Sequence, residues 1–258
     1  MIRKFLIITV TLLLNVCMAM ASDFDFIFSD STLRIDYIFS GNADVQMISV
    51  KELKKSPHWA GRRTNLQSVP LDGNGDITIY DATTNDILYK NSFSSLFQEW
   101  LSTPEATETN RSFEFTLLVP KPHRQAVAEV VLRNNRNEAT ATLRHTIMPN
   151  DVLIKDMTAQ KPEPYKYLHK AGSSNECIDI AIVAEGYTKK EMKLFCKDAQ
   201  TAADEILSYE PFSRYADKIN FVAVMCPSID TDVSTPQDKS WKQTAINSNF
   251  MTFYSPRY

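Results

Sequence analysis

The sequence predicts an α+β protein of two domains, an N-terminal antiparallel β-sandwich followed by an incomplete α/β domain. Two observations predict this fold class. Up to about residue 150, short runs of alternating apolar and polar residues are separated by turn-forming residues, which is typical of antiparallel strands. From Ile178 onward, nearly continuous apolar runs flank a helical pattern, which indicates parallel strands joined by a helix.

The first 21 residues have the composition of a secretory signal peptide. Arg3 and Lys4 form a positive start, residues 5–16 are apolar, and small residues precede the bond between Ala21 and Ser22. This apolar run is too short for a membrane anchor. We therefore predict cleavage after Ala21 and an exported protein.

The mature chain is mildly acidic. Removing the signal segment takes away two of the 28 basic residues and leaves 26 against 31 acidic residues, a net charge of −5. With no Lys/Arg run longer than two, neither nucleic acid nor an anionic membrane is expected as a partner.

No segment after the signal peptide is apolar enough to span a bilayer. The residues before Cys17 are larger than a lipid-modification site tolerates, so secretion is favoured over a lipoprotein.

The first domain is predicted to cover residues 22–152. Its predicted strands are residues 33–39, 45–50, 77–80, 87–89, 113–119, 126–132 and 139–147. Residues 93–100 are rich in aromatic side chains and are interpreted as a helical turn packed on the sandwich. Residues 72–76 imitate the start of a calcium loop, but Ile77 and Thr83 occupy the positions that require Gly and Glu. A turn leading into a strand is the better interpretation.

The second domain is predicted to cover residues 177–258, after a linker of residues 153–176 that contains Pro and Gly. Residues 178–184 are expected to form a strand buried on both faces. Thr188 and Glu191 have the spacing of a capping box and begin a helix that continues to Pro211. Residues 221–225 form the second buried strand, which we expect to lie parallel to the first.

The sequence contains no complete catalytic constellation. Its four histidines do not form H-E-x-x-H, and there is no G-x-S-x-G, P-loop or dinucleotide-binding motif. Three cysteines follow the signal segment, an odd number that leaves at least one thiol without an intramolecular partner. Cys196 and Cys226 are interpreted as small buried apolar residues, whereas the disulfide status of Cys177, Cys196 and Cys226 stays open.

The loops at one edge of the predicted parallel sheet are a candidate ligand-binding groove. Glu185, Gly186 and Tyr187 lie between the end of the first buried strand and the capped helix, and Asp230 and Asp232 follow the second strand. Ligands gather at this edge in α/β sheets. The alternative is a tight turn at Gly186 with a solvated Glu185, and loop position alone favours it.

Several segments carry a resemblance to a known family. They are residues 178–188 (IDIAIVAEGYT), 209–212, 219–224, 227–228, 241–245 and 250–258, together with 59–61, 64–66, 95–100 and 149–151 upstream. The downstream set resembles the IgA peptidase family of zinc metallopeptidases, and the upstream set resembles the β-sandwich domain that precedes the peptidase in that family. Nearly the whole mature chain is covered.

The resemblance implies a zincin-like peptidase domain, a protein or peptide substrate, and zinc as the cofactor of the intact family member. In the family, two histidines of an H-E-x-x-H helix and a further residue hold zinc, and the Glu of that helix acts as general base. No position here matches that helix. We therefore expect a chain truncated before it, with no catalytic or metal-ligating residue, that binds no zinc and is inactive alone. Residues 230–234 also lack the Gly expected in that loop.

A second hypothesis comes from another functional class, a non-catalytic exported β-sandwich that binds protein or glycan in adhesion. Trp59 and Trp100 motivate it as candidate exposed aromatic residues, although core packing is the commoner fate of such residues. The sequence leaves the oligomeric state and the substrate open, and the family's name does not imply that this chain cleaves immunoglobulin A.

Overall fold

The computed structural model describes residues 23–69, 71–174 and 176–250. The predicted signal peptide, with its cleavage site between Ala21 and Ser22, lies outside these residues. The chain divides into two compact units, Met1–Gln160 and Lys161–Tyr258, called here the first and the second unit.

The first unit is an antiparallel β-sandwich, as predicted. Its elements are α1 (Asp23–Ile27), β1 (Phe28–Gly41), β2 (Gln46–Pro57), β3 (Gly75–Asp81), β4 (Ile87–Phe93), α2 (Leu96–Trp100), a 3-10 helix (Pro104–Thr107), β5 (Arg111–Pro122), β6 (Ala126–Arg133), β7 (Ala139–Ile147) and β8 (Lys155–Asp156). One sheet has the order β5-β1-β2-β8 and the other β4-β3-β6-β7. Each pair is antiparallel except β2 and β8. The helical turn predicted over residues 93–100 is α2.

Aromatic side chains from both sheets form the core between them. The rings of Phe39 on β1 and Phe93 on β4 lie 5.9 Å apart. Tyr37 on β1 and His145 on β7 are joined by a hydrogen bond of 2.7 Å. Burial raises the pKa of Tyr37 and lowers the pKa of His145, so both are neutral at pH 7. These inward side chains of β1 alternate with residues of the other face.

Trp59 and Trp100, the candidate exposed aromatic residues, are packed in the core instead, which is the commoner fate of such residues. Trp59 is 6% exposed and Trp100 is fully buried. Each indole N–H has a partner, the Arg62 carbonyl oxygen at 3.0 Å for Trp59 and the Glu105 carboxylate at 2.8 Å for Trp100. A buried indole is stable once its single donor is satisfied, so both rings serve packing.

One buried carboxylate ties the strands of the first sheet together. Asp36 on β1 accepts hydrogen bonds from Arg34 Nε at 2.7 Å, Lys54 Nζ at 2.8 Å and Thr116 Oγ1 at 2.7 Å. Burial by itself raises the pKa of Asp36, but these three donors outweigh burial and lower the pKa to about 2. Asp36 is therefore ionised at neutral pH and links β1 to β2 and β5.

The second unit is a three-stranded sheet with one long helix. Its elements are β9 (Tyr165–His169), β10 (Ile178–Val183), a 3-10 helix (Lys189–Glu191), α3 (Met192–Ser208), 3-10 helices (Phe212–Lys218 and Pro236–Asp238) and β11 (Ile219–Val224). The strand order is β10-β11-β9. β10 and β11 are parallel, as predicted, and β9 is antiparallel to β11. The predicted domain boundaries remain predictions, although residues 153–176, expected to be a linker, contain β8 and β9.

The burial predicted for the two parallel strands is right for only one of them. β11 lies in the middle of the sheet, and Ile219, Phe221 and Ala223 are buried. β10 lies at an edge, and Ile178 is 66% and Val183 37% exposed, so the expectation that this strand is buried on both faces is wrong. A continuous apolar run predicts a strand but not whether the strand has one neighbour or two.

The helix of the second unit begins and packs as predicted. Thr188 and Glu191 form the capping box. Phe195, Ala199 and Ala203 form its buried face. The Cys196 sulfur lies 3.7 Å from the Met225 sulfur, in keeping with an apolar role, and Cys177, Cys196 and Cys226 are free thiols. Within residues 23–69, 71–174 and 176–250, no helix has the length and apolar character needed to cross a membrane.

Candidate functional site

A cavity of about 790 Å³ lies in the second unit, in the loops that follow β10 and β11. Glu185, Gly186, Tyr187 and Asp232 line it, so the structure brings four of the five predicted residues together. Asp230, the fifth, is not part of the lining. The carboxyl ends of parallel strands are where crevices form in α/β sheets. We call this space the Glu185 cavity.

Gly186 is required by the turn that opens the cavity. Its φ of +76° belongs to the left-handed region, and a side-chain Cβ there would lie 3.1 Å from the carbonyl carbon of Asp232. The backbone N–H of Asp232 donates to the Gly186 carbonyl oxygen at 2.9 Å. Asp232 itself has a φ of +66°. It thus adopts a left-handed conformation in the loop where the resemblance led us to expect a glycine, and aspartate is one of the few other residues that tolerate this conformation.

Glu185 is a bound carboxylate and not a solvated one. It accepts hydrogen bonds from the Thr244 hydroxyl, from the Ile246 N–H at 2.9 Å and from the Ser248 N–H at 2.9 Å. Burial alone raises the pKa of Glu185, but the Thr244 hydroxyl and the two backbone donors outweigh burial and lower the pKa below its ordinary value. An anion held in this way is a poor proton acceptor, so the side chain fixes the loop of residues 244–248 and is not suited to act as a general base.

Ser228 and Thr244, two residues that no sequence motif singled out, complete the connection between the loops. Ser228 Oγ is buried and accepts hydrogen bonds from the N–H groups of Gly186 and Ala245, both at 3.0 Å. Asp230 accepts from the Gln243 N–H at 2.8 Å. Ser228 and Thr244 lie inside segments that carry the family resemblance, which was the available signal for them. Asp230 therefore shapes the same loop without lining the cavity.

The opposite wall of the cavity belongs to the start of the helix. Tyr187 donates its hydroxyl hydrogen to Asp198 at 3.0 Å, and its ring packs on Phe195 at 5.4 Å between centroids. Glu191 accepts from the Thr188 hydroxyl at 2.6 Å and from the Thr231 hydroxyl at 2.9 Å. The hydroxyl and the backbone N–H of Thr188 lower the pKa of Glu191 most, and the Thr231 hydroxyl lowers it further. Carboxylates on this wall also serve to hold loops.

The residues that the structure describes do not fit a zinc ion. Among them, no group of three or more His, Cys, Asp or Glu side chains is placed to hold a metal. The histidines have other partners. These are Asp30 for His58, the Asp25 carbonyl oxygen for His123, Tyr37 for His145 and the Ala216 carbonyl oxygen for His169. Zinc sites in proteins require three or four such ligands around one point.

Substituting Glu185 tests its role as the fixed point of the loop. In Glu185→Gln, one carboxylate oxygen becomes an NH2 group that cannot accept a hydrogen bond and the other loses its negative charge, so one of the N–H groups of Ile246 and Ser248 loses its acceptor and the other keeps a weaker one. We expect these two amides to exchange hydrogen at least tenfold faster, a local loss of about 1–3 kcal/mol. Protonation of Glu185 in acid should also loosen the loop of residues 244–248. Because the folded-state pKa is lowered, the stabilisation is present above the ordinary pKa of Glu and is lost as the pH falls through the folded-state value.

Hydrogen–deuterium exchange followed by mass spectrometry makes this measurement. The matched control is Glu163→Gln, an exposed glutamate of the same unit, which should leave exchange in residues 244–248 unchanged. Equal exchange in wild type and Glu185→Gln would show that the loop is held by other contacts.

Each of the two units matches a family model of known proteins. Residues 23–144 match the family model described as Peptidase M64 N-terminus, and residues 167–258 match the model described as IgA Peptidase M64. The second match contains the whole Glu185 cavity and all five residues predicted from the sequence. A search of curated proteins found no match.

Proposed function

Because this chain belongs to the IgA Peptidase M64 family, we propose that it forms the amino-terminal part of an exported zinc metallopeptidase that hydrolyses peptide bonds. Membership of a peptidase family implies a protein or a peptide as substrate. The observation that carries the proposal is the order of the two family matches, an N-terminal module followed by peptidase sequence, each falling on a separate compact unit.

The proposal includes an inactive state for these 258 residues by themselves. Hydrolysis by zinc needs a metal-bound water and a general base beside it. The sequence has no H-E-x-x-H, the described residues offer no metal-binding group, and the Glu185 carboxylate is occupied by hydrogen bonds. In this proposal the second unit supplies structural support at the edge of the peptidase sheet, and the zinc ligands belong to polypeptide outside residues 1–258.

Export is part of the same proposal and rests on the composition of residues 1–21. Sequencing the N-terminus of the protein recovered from its native source should give Ser22 as the first residue. Recovery from inside the cell with residues 1–21 retained would contradict export.

The alternative function, a non-catalytic adhesion module, has lost the observation that motivated it. Both tryptophans proposed to contact a ligand are buried and hydrogen-bonded within the first unit. The family matches favour the peptidase, which we therefore place first.

Casein cleavage with and without a metal chelator tests the proposed function. Antibodies raised against residues 23–160 would isolate the native protein, and we expect chelator-sensitive cleavage by that material. The recombinant 258-residue chain should cleave nothing. Chelator-sensitive cleavage by the recombinant chain would contradict the assignment of the zinc ligands, whereas no cleavage by the native protein would favour the adhesion module.

A further inference from the structure

Two neighbouring cavities on the first unit are not used by the proposed peptidase function. One has a volume of about 860 Å³ and the other about 210 Å³, and Phe26, Ile27 and Leu88 line both. We call this pair of cavities the Phe26 groove. The Phe26 side chain, on α1, is 74% exposed. An aromatic ring is thus held in solvent where the two cavities meet.

Polar side chains of the groove are available to a ligand. Asn65, Arg124 and Gln125 line it, and none of the three makes a side-chain hydrogen bond within the part of the chain that the structure describes. The Arg124 guanidinium lies over the Phe26 ring, 5.7 Å from its centroid. Each amide offers donors and an acceptor, and the guanidinium offers donors only. Groups of this kind match a ligand that both donates and accepts hydrogen bonds at several points.

An extended peptide is not the ligand that this groove favours. Peptides commonly add to a sheet by pairing with an unoccupied strand edge. Here the outer edge of β4 is already paired with residues 62–68. The Lys90 N–H donates to the Leu66 carbonyl oxygen at 2.9 Å, and the Gln67 amide donates to the Ile87 carbonyl oxygen at 2.6 Å. Recognition in the groove must come from side chains.

We propose that the Phe26 groove binds an oligosaccharide. Sugar hydroxyls donate and accept hydrogen bonds at several positions, which suits Asn65 and Gln125, and Arg124 donates to hydroxyl oxygens of the sugar. The C–H face of a sugar ring is weakly positive and packs on the negative face of an aromatic ring such as Phe26. The larger cavity has the size of a small-molecule site, and the smaller one extends it past Phe26. The site would hold glycan-bearing proteins at the first unit, and it does not depend on zinc or on peptidase activity.

Isothermal titration of the full chain with maltotriose, chitotriose and sialyllactose tests this proposal. We expect the wild-type protein to bind at least one of these trisaccharides at up to millimolar concentrations. Phe26→Ala and Arg124→Gln should each weaken that binding by about tenfold or more. Asn65→Gly should also weaken it without straining the backbone, because Asn65 has a φ of +51° that glycine adopts freely.

Met47→Ala is the matched control, since Met47 is 61% exposed on β2 and does not line the groove. It should leave the binding of sugar unchanged, and tryptophan fluorescence should show the same folded first unit in every variant. Failure of the folded wild type to bind any of the three trisaccharides would overturn the proposal. Binding that survives in both Phe26→Ala and Arg124→Gln would overturn it as well, because the sugar would then lie elsewhere. Neither outcome depends on casein cleavage, so this proposal and the proposed peptidase function fail separately.

Discussion

Replacing Phe39 with alanine should lower the free energy of unfolding of the first unit by about 4 kcal/mol. Phe39 is fully buried, and its ring lies 5.1 Å from that of Phe115 and 5.9 Å from that of Phe93. The substitution removes apolar surface from the core and leaves a cavity that the surrounding rings of two sheets cannot close. The loss should therefore be at the upper end of what single substitutions cause.

Denaturant unfolding followed by tryptophan fluorescence measures this change in the correct unit. Trp59 and Trp100 are buried in the first unit, whereas Trp241 of the second unit is 72% exposed and should report little change. The matched control is Phe26→Ala, because Phe26 is 74% exposed and its removal creates no core cavity. Similar losses in the two variants would show that the aromatic cluster does not form the core described here.

Replacing Asp36 with asparagine should destabilise the first unit by about 3 kcal/mol at neutral pH. The substitution keeps the shape of the side chain but removes the negative charge that Arg34 and Lys54 contact at 2.7 and 2.8 Å. Lys54 is only 16% exposed, so part of its charge would remain desolvated without this partner. Lys54 keeps its contact with Glu52 at 2.7 Å, so the main source of the loss is the removal of the Asp36 charge from beside Arg34 and Lys54.

The Asp36 carboxylate also makes the free energy of unfolding of the first unit depend on pH. Its pKa is lowered from 3.8 to about 2 in the folded state. The stabilisation is therefore complete above pH 3.8 and is lost as the pH falls through about 2, a total of roughly 2.5 kcal/mol. Unfolding measured between these pH values should show a steeper slope in wild type than in Asp36→Asn, in which other carboxylates with lowered pKa values, such as Asp30 and Glu52, still titrate. Glu114→Gln is the control, since the Glu114–Lys51 pair is well exposed and contributes little. An unchanged acid slope in Asp36→Asn would contradict the account.

The sandwich could be predicted from the sequence because its strands have a period of two. In β1, the buried residues Leu33, Ile35, Tyr37 and Phe39 alternate with residues of the other face. Strand β9 was not predicted because prolines and a glycine surround it, and because it forms only by pairing with β11, more than 50 residues later. Exposure was harder to predict than strand position. Ile178 has the apolar side chain of a core residue but lies on an edge strand and is exposed, whereas Trp59 and Trp100, which were candidates for exposure, lie in the core.

The location of the candidate site was partly predictable, but the role of its residues was not. Loops after parallel strands meet at one edge, so placing Glu185 and Asp232 near each other needed only the strand assignment. The role of Glu185 depends on Thr244, Ile246 and Ser248, which are about 60 residues away along the chain. No local pattern indicates hydrogen bonds over that separation. A carboxylate that holds a loop and one that takes up a proton have the same sequence signature, and only their partners distinguish them.

Direct titration of the purified 258-residue chain with zinc tests most directly whether these residues form a peptidase scaffold without its metal-binding residues. We expect calorimetry to detect no tight one-to-one binding and metal analysis after dialysis to find much less than one zinc per chain. One equivalent of zinc that survives dialysis, together with peptide-bond cleavage that a chelator abolishes, would contradict it.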